Sequence, residues 1–147
     1  MSKMTEYIKI VGDVEIVKKS STGEILETVN VKNMVVTAGK EFIAARVVGA
    51  PTAMSHMAIG SGTTEQVLGD TSLESELGRA ALVSSSSAGR VATFTCTFDA
   101  GVGTGAITEA GIFNDATTGT MLCRTTFPVV NKSAGDIFDI TWTLTVL

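Results

Sequence analysis

Ile107-Thr108-Glu109-Ala110-Gly111-Ile112-Phe113 decides the fold: a short, largely apolar run that ends in the polar turn Asn114 to Gly119. A segment of this length bounded by turn residues reads as a strand. Met121 to Phe127 reads as a second strand. Pro128 and a loop, Asn131 to Gly135, lead into a long closing strand through Thr141-Trp142-Thr143-Leu144-Thr145-Val146-Leu147, so this half of the chain predicts a β-meander. In the closing strand Phe138, Ile140, Trp142, Leu144 and Val146 share one face, and Asp139, Thr141, Thr143 and Thr145 the other. A period of two is the mark of a half-buried strand.

The same alternation appears further upstream. In Val91 to Phe98, Ala92, Phe94, Cys96 and Phe98 face inward and Thr93, Thr95 and Thr97 outward, and Ala80 to Ser85 is the neighbouring strand across Ser86 to Gly89. Ile8 to Ile16 and Ile25 to Val31 form a hairpin about Ser20-Ser21-Thr22-Gly23, with Ile8, Ile10, Val14 and Ile16 on its apolar face. Met57-Ala58-Ile59 is a short buried strand, followed by a long loop from Gly60-Ser61-Gly62-Thr63-Thr64. Only Thr37 to Val48 changes period: Phe42, Ile43, Arg46 and Val47 have helical spacing, Thr37 stands as N-cap, and Gly49 and Pro51 stop the helix. Asp70 reads as the cap of a single helical turn through Glu74. The expectation is a mainly β, single-domain β-sandwich or jelly-roll-like fold over residues 1–147, with one short helix.

Composition narrows the function classes. Charged residues are 18% of the 147 and hydrophobic ones 44%, which predicts an exterior partly covered by partner subunits. The net charge is −4 and the densest basic run is Lys18-Lys19, so the basic face that direct nucleic-acid binding requires is missing. Met1 to Glu6 lacks the apolar core of a signal peptide, and no run approaches the roughly eighteen apolar residues of a membrane helix. Cys96 and Cys123 read as small buried hydrophobes in a reducing cytosol.

Catalytic patterns are missing from the sequence. His56 is the only histidine, and no local motif pairs it with a nucleophile and an orienting carboxylate. Gly101-Val102-Gly103-Thr104-Gly105 precedes a strand rather than the helix a phosphate loop needs, so it reads as a hairpin loop. Asp70, Glu74 and Glu76 lack calcium-loop spacing and read as capping and solvated groups. The expectation is a non-enzyme with no cofactor and no catalytic, cofactor-binding or metal-ligating residues. Arg79, Glu109 and Arg124 stand apart, because each lies in or beside an apolar strand where an unpaired charge is costly. Two arrangements are open: Glu109 pairs with one of the arginines, within a subunit or across an interface, or all three point to solvent. The segment Met1, Ser2, Lys3, Met4, Thr5, Glu6 and Tyr7 is a candidate assembly arm, able to strap onto a neighbour by added strand pairing.

Three segments, in this order, resemble bacteriophage virion proteins, including tail-collar fibre domains and small capsid-associated proteins. The first is Val14 through Ala45, in which Asn33-Met34-Val35-Val36-Thr37-Ala38-Gly39 enters a helix. The second is Met57-Ala58-Ile59-Gly60-Ser61-Gly62-Thr63-Thr64, then Thr71 to Glu76 and Arg79. The third is Ile107 to Phe113, Met121 to Arg124, Pro128, Lys132 and Thr141-Trp142-Thr143. The resemblance implies a virion structural protein. Since the chain carries no fibrous extension after its last strand, it points first to a capsid decoration or cement protein. Such a protein would stand on the outer capsid as a homo-oligomer, a trimer above all, and bridge major capsid protein subunits. The second reading is a tail, baseplate or fibre-base component concerned with host attachment.

Overall fold

A computed structural model describes residues 4–147. Along the chain run β1 (Ile10–Lys19), β2 (Ile25–Lys32), β3 (Met34–Val35), α1 (Thr37–Val47), β4 (His56–Gly60), β5 (Glu76–Ala81), β6 (Ser84–Ala88), β7 (Val91–Phe98), β8 (Gly105–Phe113), β9 (Met121–Lys132) and β10 (Ile137–Val146). They build two five-stranded antiparallel sheets, β2-β1-β10-β7-β6 and β3-β9-β8-β4-β5. Among the described residues the fold is a β-sandwich with one helix.

The apolar faces close on each other. Val14, Ile16, Phe98, Phe138, Ile140 and Trp142 come from the first sheet, and Met57, Ile59, Ile107, Ile112 and Cys123 from the second, all fully buried. In the first sheet Trp142 lies opposite Val14 on one side and Phe94 on the other, so the alternation of three strands is in register. Burying each such side chain stabilises the fold by about 1.5–3 kcal/mol.

β8 is different, because Ile107 through Phe113 is buried on both faces. Ala110 and Ile112 join the main core, while Phe113 joins a second cluster with Val36, Ala58, Leu73 and Met121 on the other side of the sheet. A two-sided strand carries a near-continuous apolar run. Here the outer face is covered by the long connection between β4 and β5.

Several expectations need correction. The meander is only a hairpin: β8 pairs with β9, but β10 crosses to the other sheet and lies between β1 and β7. The Gly101 to Gly105 loop likewise joins the two sheets instead of closing a hairpin. Ala80 to Ser85 is two strands, because β5 ends at Ala81 and β6 begins at Ser84 in the opposite sheet. The change of sheet is held where the Leu82 amide donates to Ser55 and the Val83 amide to Thr95. β9 runs past Pro128 as far as Lys132, taking in two residues expected to be loop. Phe127 to Val129 bulge between the pairs Thr126–Glu109 and Val130–Ile107, a position where proline's missing amide is tolerated.

At the helix, Val36 is the N-cap and Thr37 the first helical residue. The Thr37 amide is already satisfied by the Leu68 carbonyl at 2.8 Å, so no side-chain cap is required there. Asp70 caps no helix. Val146 is 37% exposed and Ile8, which precedes the first strand, is 72% exposed, so both leave the predicted core faces. They lie where the sandwich ends and the opposite sheet no longer covers them.

Candidate functional site

The outer face of the second sheet gathers the three charged residues singled out above. Registers across the strands set Arg79 opposite Ala58, Ala58 opposite Gly111, and Gly111 opposite Arg124, so both arginines stand in one row. Glu109 lies two residues along β8 from Gly111 and therefore shares their face. The two small residues between the arginines leave room for long side chains to lie over the sheet.

Glu109 is fully buried and accepts five hydrogen bonds. Its Oε2 takes the amides of Gly62 (2.7 Å) and Ser75 (2.8 Å), and its Oε1 takes the amide of Glu74 (2.9 Å) together with Arg124 Nε (3.1 Å) and Nη2 (3.0 Å). Arg124 is equally buried. Its Nη1 donates to Asp70 Oδ2 at 3.0 Å and its Nη2 also to the Thr64 carbonyl at 3.0 Å. Asp70 in turn accepts the Val67 amide at 2.9 Å, and Thr108 Oγ1 donates to the Gly62 carbonyl at 2.7 Å. A buried carboxylate is tolerable when its lone pairs are filled in this way, and charge-assisted donation from arginine is stronger than donation from a neutral amide. One side chain thus fastens both ends of the Ser61 to Ser75 connection to the sheet.

The glycines of the Gly60-Ser61-Gly62 segment, where β4 ends, explain how the carboxylate gets so close. A Cβ at Gly60 would lie 2.7 Å from Glu109 Oε2, and one at Gly62 would collide with the same oxygen and with Glu74 Cβ.

Arg79 does not meet Glu109. Its Nε and Nη2 hold the Glu76 carboxylate at 3.0 and 2.7 Å, and its Nη1 donates to the Asp115 and Thr118 carbonyls at 3.0 and 2.8 Å. The guanidinium lies 3.8 Å above the Phe113 ring. It pins the turn between β8 and β9, where Thr118 takes a positive φ of 51°.

A second buried cation went unread in the sequence. Lys132 is fully buried at the end of β9 and donates to the carbonyls of Asp99 and Asp136, both at 2.8 Å, tying together two connections that cross between the sheets. Burial pushes its pKa down, against the pull of the Asp136 and Asp99 carboxylates. Asp70 as an arginine partner, the amides of Gly62, Glu74 and Ser75, and the role of Gly62 were also missed. The one signal for them was the glycine doublet two residues apart.

His56 opens β4, with its Nδ1 2.8 Å from Ser55 Oγ. Cys96 and Cys123 are free and buried; burial, then the charges of Asp139 and Asp99, push the Cys96 thiol up to about 12, and burial raises Cys123 well above the usual range. Among the described residues no group of three or more His, Cys, Asp or Glu is placed to hold a metal ion. No helix among them is long and apolar enough to cross a membrane. Within the candidate arm, Met4 to Tyr7 are exposed and form no regular structure, while Met1, Ser2 and Lys3 lie outside the described residues.

No protein-family model, curated protein or solved structure matches the chain.

Proposed function

We propose that this chain is a bacteriophage virion structural protein, a capsid decoration or cement protein that bridges major capsid subunits as a homo-oligomer on the outer shell. The observation that carries the reading is how its side chains are spent. The buried charges Glu109, Arg124 and Lys132 all hold connections against the sandwich. Large apolar residues meanwhile stand exposed in adjacent pairs at its periphery: Ile25-Leu26, Val47-Val48 and Val67-Leu68. A rigid body with apolar edges suits a surface that is covered on assembly. The three-segment resemblance to virion proteins supports the same reading.

Mechanically, a protein that binds the expanded shell and not its precursor stabilises the expanded form by mass action. The driving force is apolar burial spread over several neighbours. The test is co-sedimentation with purified expanded and unexpanded capsids: saturable binding to the expanded form alone is expected, and indifference to both would overturn the reading. Deleting residues 1–6 is expected to lower occupancy, and full occupancy by the truncated chain would remove the arm from the mechanism.

The tail or fibre-base reading stays beside it because of the three-segment resemblance, which includes tail-collar domains. Copy number in intact particles separates the two. A shell protein is present in hundreds of copies, whereas tail symmetry allows roughly a dozen.

A further inference from the structure

At one end of the sandwich an apolar groove of about 390 Å³ opens between α1 and the first sheet. Ile10, Phe42, Ile43, Met54, Phe94 and Leu144 form its walls, and Arg46 and Arg90 stand at its rim. Neither arginine has a carboxylate partner among the described residues; Arg46 donates only to the Pro51 carbonyl, at 2.8 Å. Ser85 and Ser87 of β6 border the groove, and β6 is an edge strand with β7 on one side only. The site therefore offers an apolar floor, positive charge and unpaired backbone together.

A segment of matching chemistry leaves the fold at the same end. Met4, Tyr7 and Ile8 are 94%, 87% and 72% exposed, with Glu6 among them. We infer that the groove receives residues Met4 to Ile8 of a second copy of this chain, with Glu6 meeting the arginines at the rim. A molecule's own arm is badly placed to enter. Ile10 is itself part of the groove wall, and the Leu147 amide donates to the Lys9 carbonyl at 2.8 Å, which carries the strand straight on past the end of the sheet. Folding back would need a sharp reversal within Met4 to Lys9, a stretch with no glycine or proline to make it. Exchange between copies satisfies both surfaces without that reversal, and it closes as a reciprocal pair or as a ring.

This contact deepens the assembly reading above and rests on it, but its test is run in solution without capsids. Sedimentation of the full chain is expected to show an oligomer at micromolar concentration, and a chain lacking residues 1–8 a monomer. In the full chain, Glu6→Arg or Arg90→Glu alone should weaken self-association about tenfold or more, and the two together should recover most of that loss. Circular dichroism melting checks that each variant is folded. Three results would overturn the inference: a full chain that stays monomeric at about 100 μM, a truncated chain that remains oligomeric, or a double variant no better than its single parents. A chain that binds expanded capsids yet never self-associates would sink this contact and the homo-oligomer, and leave binding to the shell standing.

Discussion

The two sheets turn very different outer faces away from the same core. On the first, Thr93, Thr95 and Thr97 of β7 and Thr141, Thr143 and Thr145 of β10 form half-buried rows, with Asp139 held between Lys19 and Thr97. On the second, Glu109, Arg124 and Arg79 lie under connections that leave almost none of them in water. Threonine suits an open face because it fills a pleated surface and still meets solvent. A carboxylate and two guanidiniums on a strand face call for a cover that brings its own amides and carbonyls. Where a charge interrupts an otherwise apolar strand, a covering segment is the thing to look for.

Substitutions on the two faces should therefore differ sharply. Glu109→Ala leaves three amides and the Arg124 Nε without a partner and takes away the buried carboxylate beside the guanidinium, which should cost about 3–5 kcal/mol. Thr143→Ala on the open face should stay within about 0.5 kcal/mol. Urea unfolding of the two variants side by side makes the comparison, and equal midpoints would break it.

Gly62→Ala tests the cover itself. The added methyl meets the Glu109 carboxylate, and overpacking of this kind should cost about 1–3 kcal/mol. Limited proteolysis should then cut within residues 61–75 before anywhere else in the sandwich. A cleavage pattern like that of the parent would show that the carboxylate does not govern the loop.

Arg79→Lys keeps the charge but gives up the paired contact with Glu76 and the stacking on Phe113, an expected loss of about 1–2 kcal/mol. Hydrogen exchange in the Asn114 to Gly119 turn should quicken. Unchanged exchange there would separate the arginine from the turn.

The smallest effect belongs to the open face. Burial alone would raise the Asp139 pKa, but the hydrogen bonds from Lys19 and Thr97, with the charge of Lys19, bring it below the ordinary aspartate range. A carboxyl whose pKa is depressed in the folded state stabilises above its unfolded pKa, and that contribution is lost as pH falls through the folded value, below about pH 4. Asp139→Asn should flatten this part of the acid unfolding curve, and an unaltered acid limb would remove Asp139 from it.

Much of the first sheet was legible in the chain. β7 and β10 alternate cleanly because one face is wet and the other dry, and the turns about Gly23 and Gly89 mark the β1–β2 and β6–β7 hairpins. The second sheet was harder to read. β8 is covered on both sides, so its pattern reveals a strand but not what lies over it. β6 is all serine and alanine, exposed along its whole length, and an edge strand of this kind carries no apolar period at all. At the candidate site, charge in an apolar run identified Glu109, Arg79 and Arg124 as residues needing partners. Which arginine took the carboxylate depended on strand register, since Arg124 and Arg79 stand on opposite sides of Glu109's strand in the sheet.

What the residues determined alone was local: strand period, the single helix, the turns, and the need of a buried carboxylate for company. Those follow from side-chain alternation and the cost of desolvating charge, which act over a few residues. Tertiary structure decided the sheet to which each strand belongs, the bulge at Pro128, the five donors around Glu109 and the groove beside α1. Each of these joins segments far apart in the chain, and only packing in three dimensions brings them within contact distance.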